Sequence, residues 1–93
     1  MTSEVHIASF IVQLKPDRFY AVQREFKQVP WLDCPVADEQ QCKLLVLLEE
    51  PTTRALDERI NWMKDVPGVL SVTMVYHQVE PATQLDQEVV AWV

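Results

Sequence analysis

A chain of 93 residues, of which 48% are hydrophobic, has the size and composition of one domain with one core, and no apolar run is long enough to span a membrane. Its formal net charge of −6 argues against a nucleic-acid partner, because phosphates favour Lys and Arg, and is compatible with a basic partner. No positively charged region precedes the first apolar residues, so we expect no signal peptide, a cytoplasmic location and reduced thiols at Cys34 and Cys42.

The first predicted elements are a strand over residues 5–14 and a helix after it. Aliphatic residues occur on both faces of the strand, which indicates a central position in a sheet. Pro16 suits the first turn of a helix. From Phe19 to Val29 apolar residues recur at steps of three and four, which predicts an amphipathic helix that Pro30 ends.

Two further strands are predicted over residues 31–38 and 43–49. Proline cannot donate a hydrogen bond to a neighbouring strand, so Pro35 predicts that the earlier of these two strands lies at a sheet edge. Alternation predicts that its inward-facing residues are Leu32, Cys34 and Val36. The later strand contains five consecutive apolar residues, 44–48, and this run indicates burial on both faces and a central position.

The second half of the chain predicts a helix and a long strand. A threonine after Pro51 is the expected N-cap, and Gly68, the only glycine, is expected at a helix C-cap or a tight turn with positive φ. Beyond it residues alternate: the row expected in the core is Leu70, Val72, Met74 and Tyr76, and the opposite row is Ser71, Thr73, Val75 and His77. We expect a domain over residues 1–80 and a C-terminal tail over 81–93.

The order strand, helix, strand, strand, helix, strand predicts an α+β, ferredoxin-like βαββαβ fold. We expect an antiparallel sheet in the order 4-1-3-2, with both helices on one face. The core is expected to include Phe10, Ile60, Leu70 and Met74 between sheet and helices.

Two helices cover only one face of such a sheet, and the other face is expected to be the functional surface. Its predicted residues are Ile7, Ser9, Ile11, Gln13, Asp33, Leu45, Leu47, Glu49, Ser71, Thr73, Val75 and His77. A contiguous apolar patch with an acidic rim is typical of an interaction site. Two alternatives remain open, namely a weak homodimer through this face and coverage of the face by the tail.

Catalytic and metal sites are not expected, and neither is a cofactor. Cys34 and Cys42 are eight positions apart, which is not a zinc-ligand spacing, and one glycine cannot build a phosphate-binding loop. The sequence also contains no nucleophile elbow. Trp31 and Trp62 are expected on the outward sides of their elements, as secondary contacts or packed against the tail.

Residues 68–78, Gly-Val-Leu-Ser-Val-Thr-Met-Val-Tyr-His-Gln, resemble the terminal strand of the NapD family, and residues 9–13, Ser-Phe-Ile-Val-Gln, resemble part of its first strand. Element order and length also match over roughly residues 4–80. The resemblance implies a ferredoxin-like cytoplasmic chaperone that binds the twin-arginine signal peptide of the catalytic subunit of periplasmic nitrate reductase. Such binding implies that export is held back until the molybdenum cofactor is inserted.

The resemblance implies that the ligand of the open sheet face is the signal peptide. The apolar side of a helical peptide would contact Ile11, Leu45, Leu47 and Val75, and its arginines would meet Asp33, Glu49 or another rim acid. No direct membrane insertion is expected. The alternative function is a small-ligand regulatory domain of the same fold. RNA binding is not expected, because the predicted open face has no aromatic residues for bases to stack on and the chain is negatively charged.

Overall fold

The computed structural model describes residues 4–81, which form a four-stranded antiparallel sheet with two helices on one face. The elements are β1 (Glu4–Leu14), α1 (Phe19–Lys27), β2 (Leu32–Asp38), β3 (Lys43–Glu50), α2 (Thr53–Asp65) and β4 (Val69–Pro81). The sheet order β2-β3-β1-β4 is the predicted order read from the opposite edge, and the ferredoxin-like arrangement is confirmed. The predicted tail lies outside the described residues apart from Pro81, which ends β4.

The chain enters α1 through a single tight turn. Pro16–Arg18 form a 3-10 turn, and the α-helix begins only at Phe19 and ends at Lys27, so Val29 lies beyond it. At the other helix, the Thr52 side chain accepts a hydrogen bond of 3.0 Å from the Ala55 amide, which confirms the predicted threonine N-cap.

Gly68 adopts a φ of +103°, which confirms the expected positive-φ turn between α2 and β4. A Cβ atom added there would lie 2.5 Å from Cβ of Arg18. We expect Gly68→Ala to lower the free energy of unfolding by at least about 1–2 kcal/mol, because both the backbone conformation and the contact are unfavourable. Urea denaturation measures this effect, with Ser71→Ala, at an exposed position of β4, as the control. Equal stability of the two variants would contradict the positive-φ conformation assigned to Gly68.

The core lies between the helices and one face of the two central strands. Its fully buried members include Ala8, Phe10, Val12 and Leu14 of β1, Leu44, Val46 and Leu48 of β3, and Val22, Phe26, Leu56 and Met63 of the helices. Ile60 packs against this cluster, so the predicted core positions of Phe10 and Ile60 are confirmed. The residues that alternate with these in β1 and β3 point to the other face of the sheet.

The predicted alternation of β4 is interrupted twice. The register between β1 and β4 shifts between Ser9 and Phe10 and again between Gln13 and Leu14, which leaves Val75 and Leu70 without a partner. The prediction that Leu70 is in the core was therefore wrong, since its side chain is 56% exposed. An extra residue in one strand reverses which side chains face the core beyond it.

Met74 and Tyr76 flank one of these bulges and end on opposite faces. Side chains of directly opposed residues in an antiparallel pair lie on the same face. Met74 is opposite Phe10 on the helix side but remains 41% exposed, so its predicted burial was wrong. Tyr76 is opposite Ser9, and its predicted place in the core was also wrong.

β2 is an edge strand, as Pro35 predicted, and it also contains a bulge. Its register against β3 shifts between Asp33, opposite Leu47, and Val36, opposite Leu45. Val36 therefore faces away from the helices and is 52% exposed, so the prediction that it points inward was wrong. The bulge places Asp33 and Val36 on the same face despite their odd spacing.

Candidate functional site

The surface of interest is the sheet face that α1 and α2 do not cover, called the open face below. Pairing between strands places ten of the twelve predicted site residues on it: Ile7, Ser9, Ile11, Gln13, Asp33, Leu45, Leu47, Glu49, Ser71 and Thr73. Directly opposed residues on neighbouring strands share a face of the sheet, and these ten residues are linked to one another by such pairs. They therefore form one continuous surface across the four strands.

The two remaining predicted residues, Val75 and His77, are placed differently. Val75 is the unpaired residue of the bulge in β4 and is 56% exposed at the sheet edge. His77 is opposite Ala8 and therefore faces the helix side, where its Nε2 atom lies 3.1 Å from Nδ1 of the buried His6. The prediction that His77 lies on the open face was wrong, because the extra residue at Val75 reverses the alternation beyond it.

The same reversal brings residues to the open face that the sequence reasoning missed. Tyr76, Gln78 and Glu80 lie opposite Ser9, Ile7 and Val5. Along this margin the Tyr76 hydroxyl donates to Oε1 of Gln78, and Nε2 of Gln78 donates to Oε1 of Glu80. No residue type in β4 signals the bulge that places them there.

The open face has an apolar centre between an acidic end and an end where one cation lies opposite one acid. At the centre, Ile11 lies between Leu45 and Thr73. At one end, Glu49 is opposite Ile7, while at the other Lys43 is opposite Gln13. Lys43 is also opposite Asp38 of β2, so the uncompensated negative charge of this surface is concentrated at the Glu49 end.

A shallow concavity of about 400 Å³ opens at the acidic end of the open face, beside β2. Its lining residues are Ile7, Pro30, Trp31, Leu32, Asp33, Leu47, Leu48 and Glu49. Asp33 is opposite Leu47 and thus diagonal to Glu49, a relation that places two residues about 7–8 Å apart. Both carboxylates are exposed, and within residues 4–81 neither forms an ion pair. The concavity therefore offers two free anionic acceptors beside apolar side chains.

The sequence predicted that Trp31 and Trp62 face outward as secondary contacts. In the structure they pack on each other instead. Their rings meet edge to face at 5.1 Å, and both are partly buried against the core. The Cζ atom of Arg59 lies 4.4 Å from the Trp31 ring centroid, and its Nε donates to Oε2 of Glu50 at 3.3 Å. These contacts hold Trp31 as a fixed wall of the concavity.

The described residues offer little for other chemistry. No group of three or more His, Cys, Asp or Glu within residues 4–81 is arranged to hold a metal ion. Burial raises the pKa of the Cys34 thiol above its ordinary value, although nearby Lys27 opposes the shift, so this thiol is protonated at neutral pH. No helix in the described part of the chain has the length and apolar character needed to cross a membrane.

Comparison with known proteins places the chain in a family. The family model described as NapD protein matches residues 5–81. Chaperone NapD of Haemophilus influenzae is 30% identical over 73 residues, 78% of each chain, and Chaperone NapD of Escherichia coli K12 is 30% identical over 80 residues, 86% of this chain and 92% of the relative. The solution structure of the Escherichia coli Tat proofreading chaperone protein NapD is similar with a TM-score of 0.74 and 29% identity, over 84% of this chain and 82% of that one. The chain therefore belongs to the NapD family, as its resemblance in β1 and β4 indicated.

Proposed function

We propose that this chain is a cytoplasmic chaperone that binds the twin-arginine signal peptide of the catalytic subunit of periplasmic nitrate reductase on its open face. While the peptide is held, export is delayed until the molybdenum cofactor has been inserted. The observation that supports this function is an uncovered apolar sheet face with an acidic end, in a family that includes a Tat proofreading chaperone. The function requires binding and release and no chemical step.

The apolar centre of the open face suits the hydrophobic segment of a signal peptide. Ile7, Ile11 and Leu45 are only partly buried, and Leu47 is 38% exposed. Covering apolar surface contributes roughly 25 cal/mol per Å² removed from water. An amphipathic peptide helix that lies on a hydrophobic surface is a recurrent mode of peptide recognition.

The charge of the chain suits the basic part of the same peptide. A net charge of −6 attracts a peptide with two arginines over distances longer than direct contact. At the face itself, carboxylates such as Glu49 accept charge-assisted hydrogen bonds from guanidinium groups. Electrostatic attraction sets mainly the association rate, while contact pairs slow dissociation.

Calorimetric titration with a synthetic twin-arginine signal peptide tests this function. We expect binding, and at least ~10-fold weaker binding when both arginines are replaced by glutamine, because hydrogen bonds to charged groups contribute about 1.5–3 kcal/mol each. Higher salt should slow association. A scrambled peptide of the same composition is the control for non-specific attraction, and equal affinity of all three peptides would contradict the proposal.

A further inference from the structure

We propose that the concavity of Trp31, Asp33 and Glu49 receives one arginine side chain of the bound signal peptide and thereby fixes the direction of the peptide on the sheet. The basic end of the peptide lies over this concavity, and its apolar segment runs across Ile11 towards Lys43. This inference rests on the proposed function and adds to it a specific subsite and an orientation.

The size and lining of the concavity fit a single long side chain. A volume of about 400 Å³ is at the lower end of the range of roughly 300–1,000 Å³ that small-molecule sites occupy, and is too small for a peptide segment. Ile7 and Leu47 offer apolar surface to the methylene stem of an arginine. Trp31 adds an aromatic wall next to the two carboxylates, and planar guanidinium groups bind both kinds of surface.

The acids of the open face differ in their availability. Asp33 and Glu49 are exposed and form no ion pair with any described residue. Glu80, on the opposite margin, is only 9% exposed and already accepts a hydrogen bond from Gln78. Asp38 of β2 accepts a hydrogen bond from the Gln41 amide, so among residues 4–81 the free acceptors of this face are at the Glu49 end of β2 and β3.

The chain's own Arg59 preorganises this subsite. Its guanidinium carbon lies 4.4 Å from the Trp31 ring centroid while its Nε donates to Glu50, so Trp31 is held between an arginine and the second tryptophan, Trp62. A wall that is already fixed costs little conformational entropy when a ligand binds.

The charges along the open face determine the orientation. Ile7 and Gln13 are six positions apart on β1, which corresponds to roughly 20 Å of strand, or about 13 residues of peptide helix. Glu49 lies opposite the first of these residues and Lys43 opposite the second. A peptide with a basic end followed by an apolar segment is attracted to the acidic end, because at the other end Asp38 lies opposite Lys43 and the two charges offset each other.

A double-mutant cycle tests the subsite. Asp33→Asn and Glu49→Gln are each expected to weaken peptide binding ~10-fold, equivalent to about 1.4 kcal/mol. Asp57→Asn, an exposed position on α2, changes the net charge equally on the other side of the sheet and should leave affinity within ~2-fold. Replacing one of the two peptide arginines by glutamine should lower the affinity of the peptide ~10-fold for the unchanged protein. For either subsite variant the same replacement should lower the affinity less than ~3-fold.

A nitroxide label at either peptide end tests the orientation. A label at the basic end should broaden the amide resonances of Asp33 and Glu49, and a label beyond the apolar segment should broaden those of Gln13 and Lys43. The reverse pattern overturns the orientation. A peptide that binds with no coupling to Asp33 or Glu49, or that is weakened by Glu80→Gln instead, overturns the subsite and leaves the proposed function intact. Absence of any binding by the unchanged protein overturns both.

Discussion

Replacing Phe10 with alanine is expected to lower the free energy of unfolding by about 3–5 kcal/mol, whereas Met74→Ala is expected to cost less than about 1.5 kcal/mol. The two residues are opposite each other in β1 and β4 and face the same side of the sheet. Phe10 is 1% exposed, so its truncation removes buried surface and leaves a cavity. Met74 is 41% exposed, so most of the space left by its truncation is open to solvent.

Urea denaturation of both variants measures the difference, with the slope of the transition as a check that the unfolded reference state is unchanged. For a domain of this size, the loss expected for Phe10→Ala is a large part of the total stability. A loss for Met74→Ala as large as for Phe10→Ala would contradict the exposure of β4. It would mean that a second copy, or residues outside the described range, covers this strand.

Ile11→Lys is expected to weaken binding of the twin-arginine peptide by about 100-fold, equivalent to about 2.7 kcal/mol. Ile11 lies at the centre of the open face between Leu45 and Thr73. A lysine there would place an ammonium group within the apolar contact and near the peptide's own arginines, where its desolvation is unfavourable. Val79→Lys is the matched control, because Val79 is 47% exposed on the helix side of β4.

Calorimetry with both variants, after circular dichroism has shown that they fold, gives the comparison. Val79→Lys should bind the peptide with nearly unchanged affinity, and Val75→Lys, at the bulge on the edge, should have an effect between the two. Normal binding by Ile11→Lys would show that the open face is not the site. Unfolding of Ile11→Lys, with Val79→Lys stable, would indicate that the open face is already covered in the free protein.

Local patterns in the sequence were sufficient for the architecture. Consecutive apolar residues in β3 predicted a central position, which the sheet order confirms, although its open face is not buried and Leu47 is 38% exposed; Pro35 predicted an edge. Gly68 and a threonine N-cap were identified because each satisfies a backbone requirement at its own position, and the structure shows that the cap is Thr52. The alternation of β1 and β3 was sufficient to assign seven of their residues to the open face, because neither strand is interrupted in their mutual pairing.

The placement of β4 and of the concavity depended on the tertiary structure. A bulge arises from how two strands pair, and the residues of β4 alone are compatible with either alternation on each side of Val75, so His77 and Tyr76 were assigned to the wrong faces. The exposure of Met74 depends on how far the helices extend over β4, which is an edge strand. The alternation of residues within β4 does not predict that extent. The acidic concavity forms because the β2 bulge and the contact between Arg59 and Trp31 join residues that are distant in the chain, and only the packed fold brings them together.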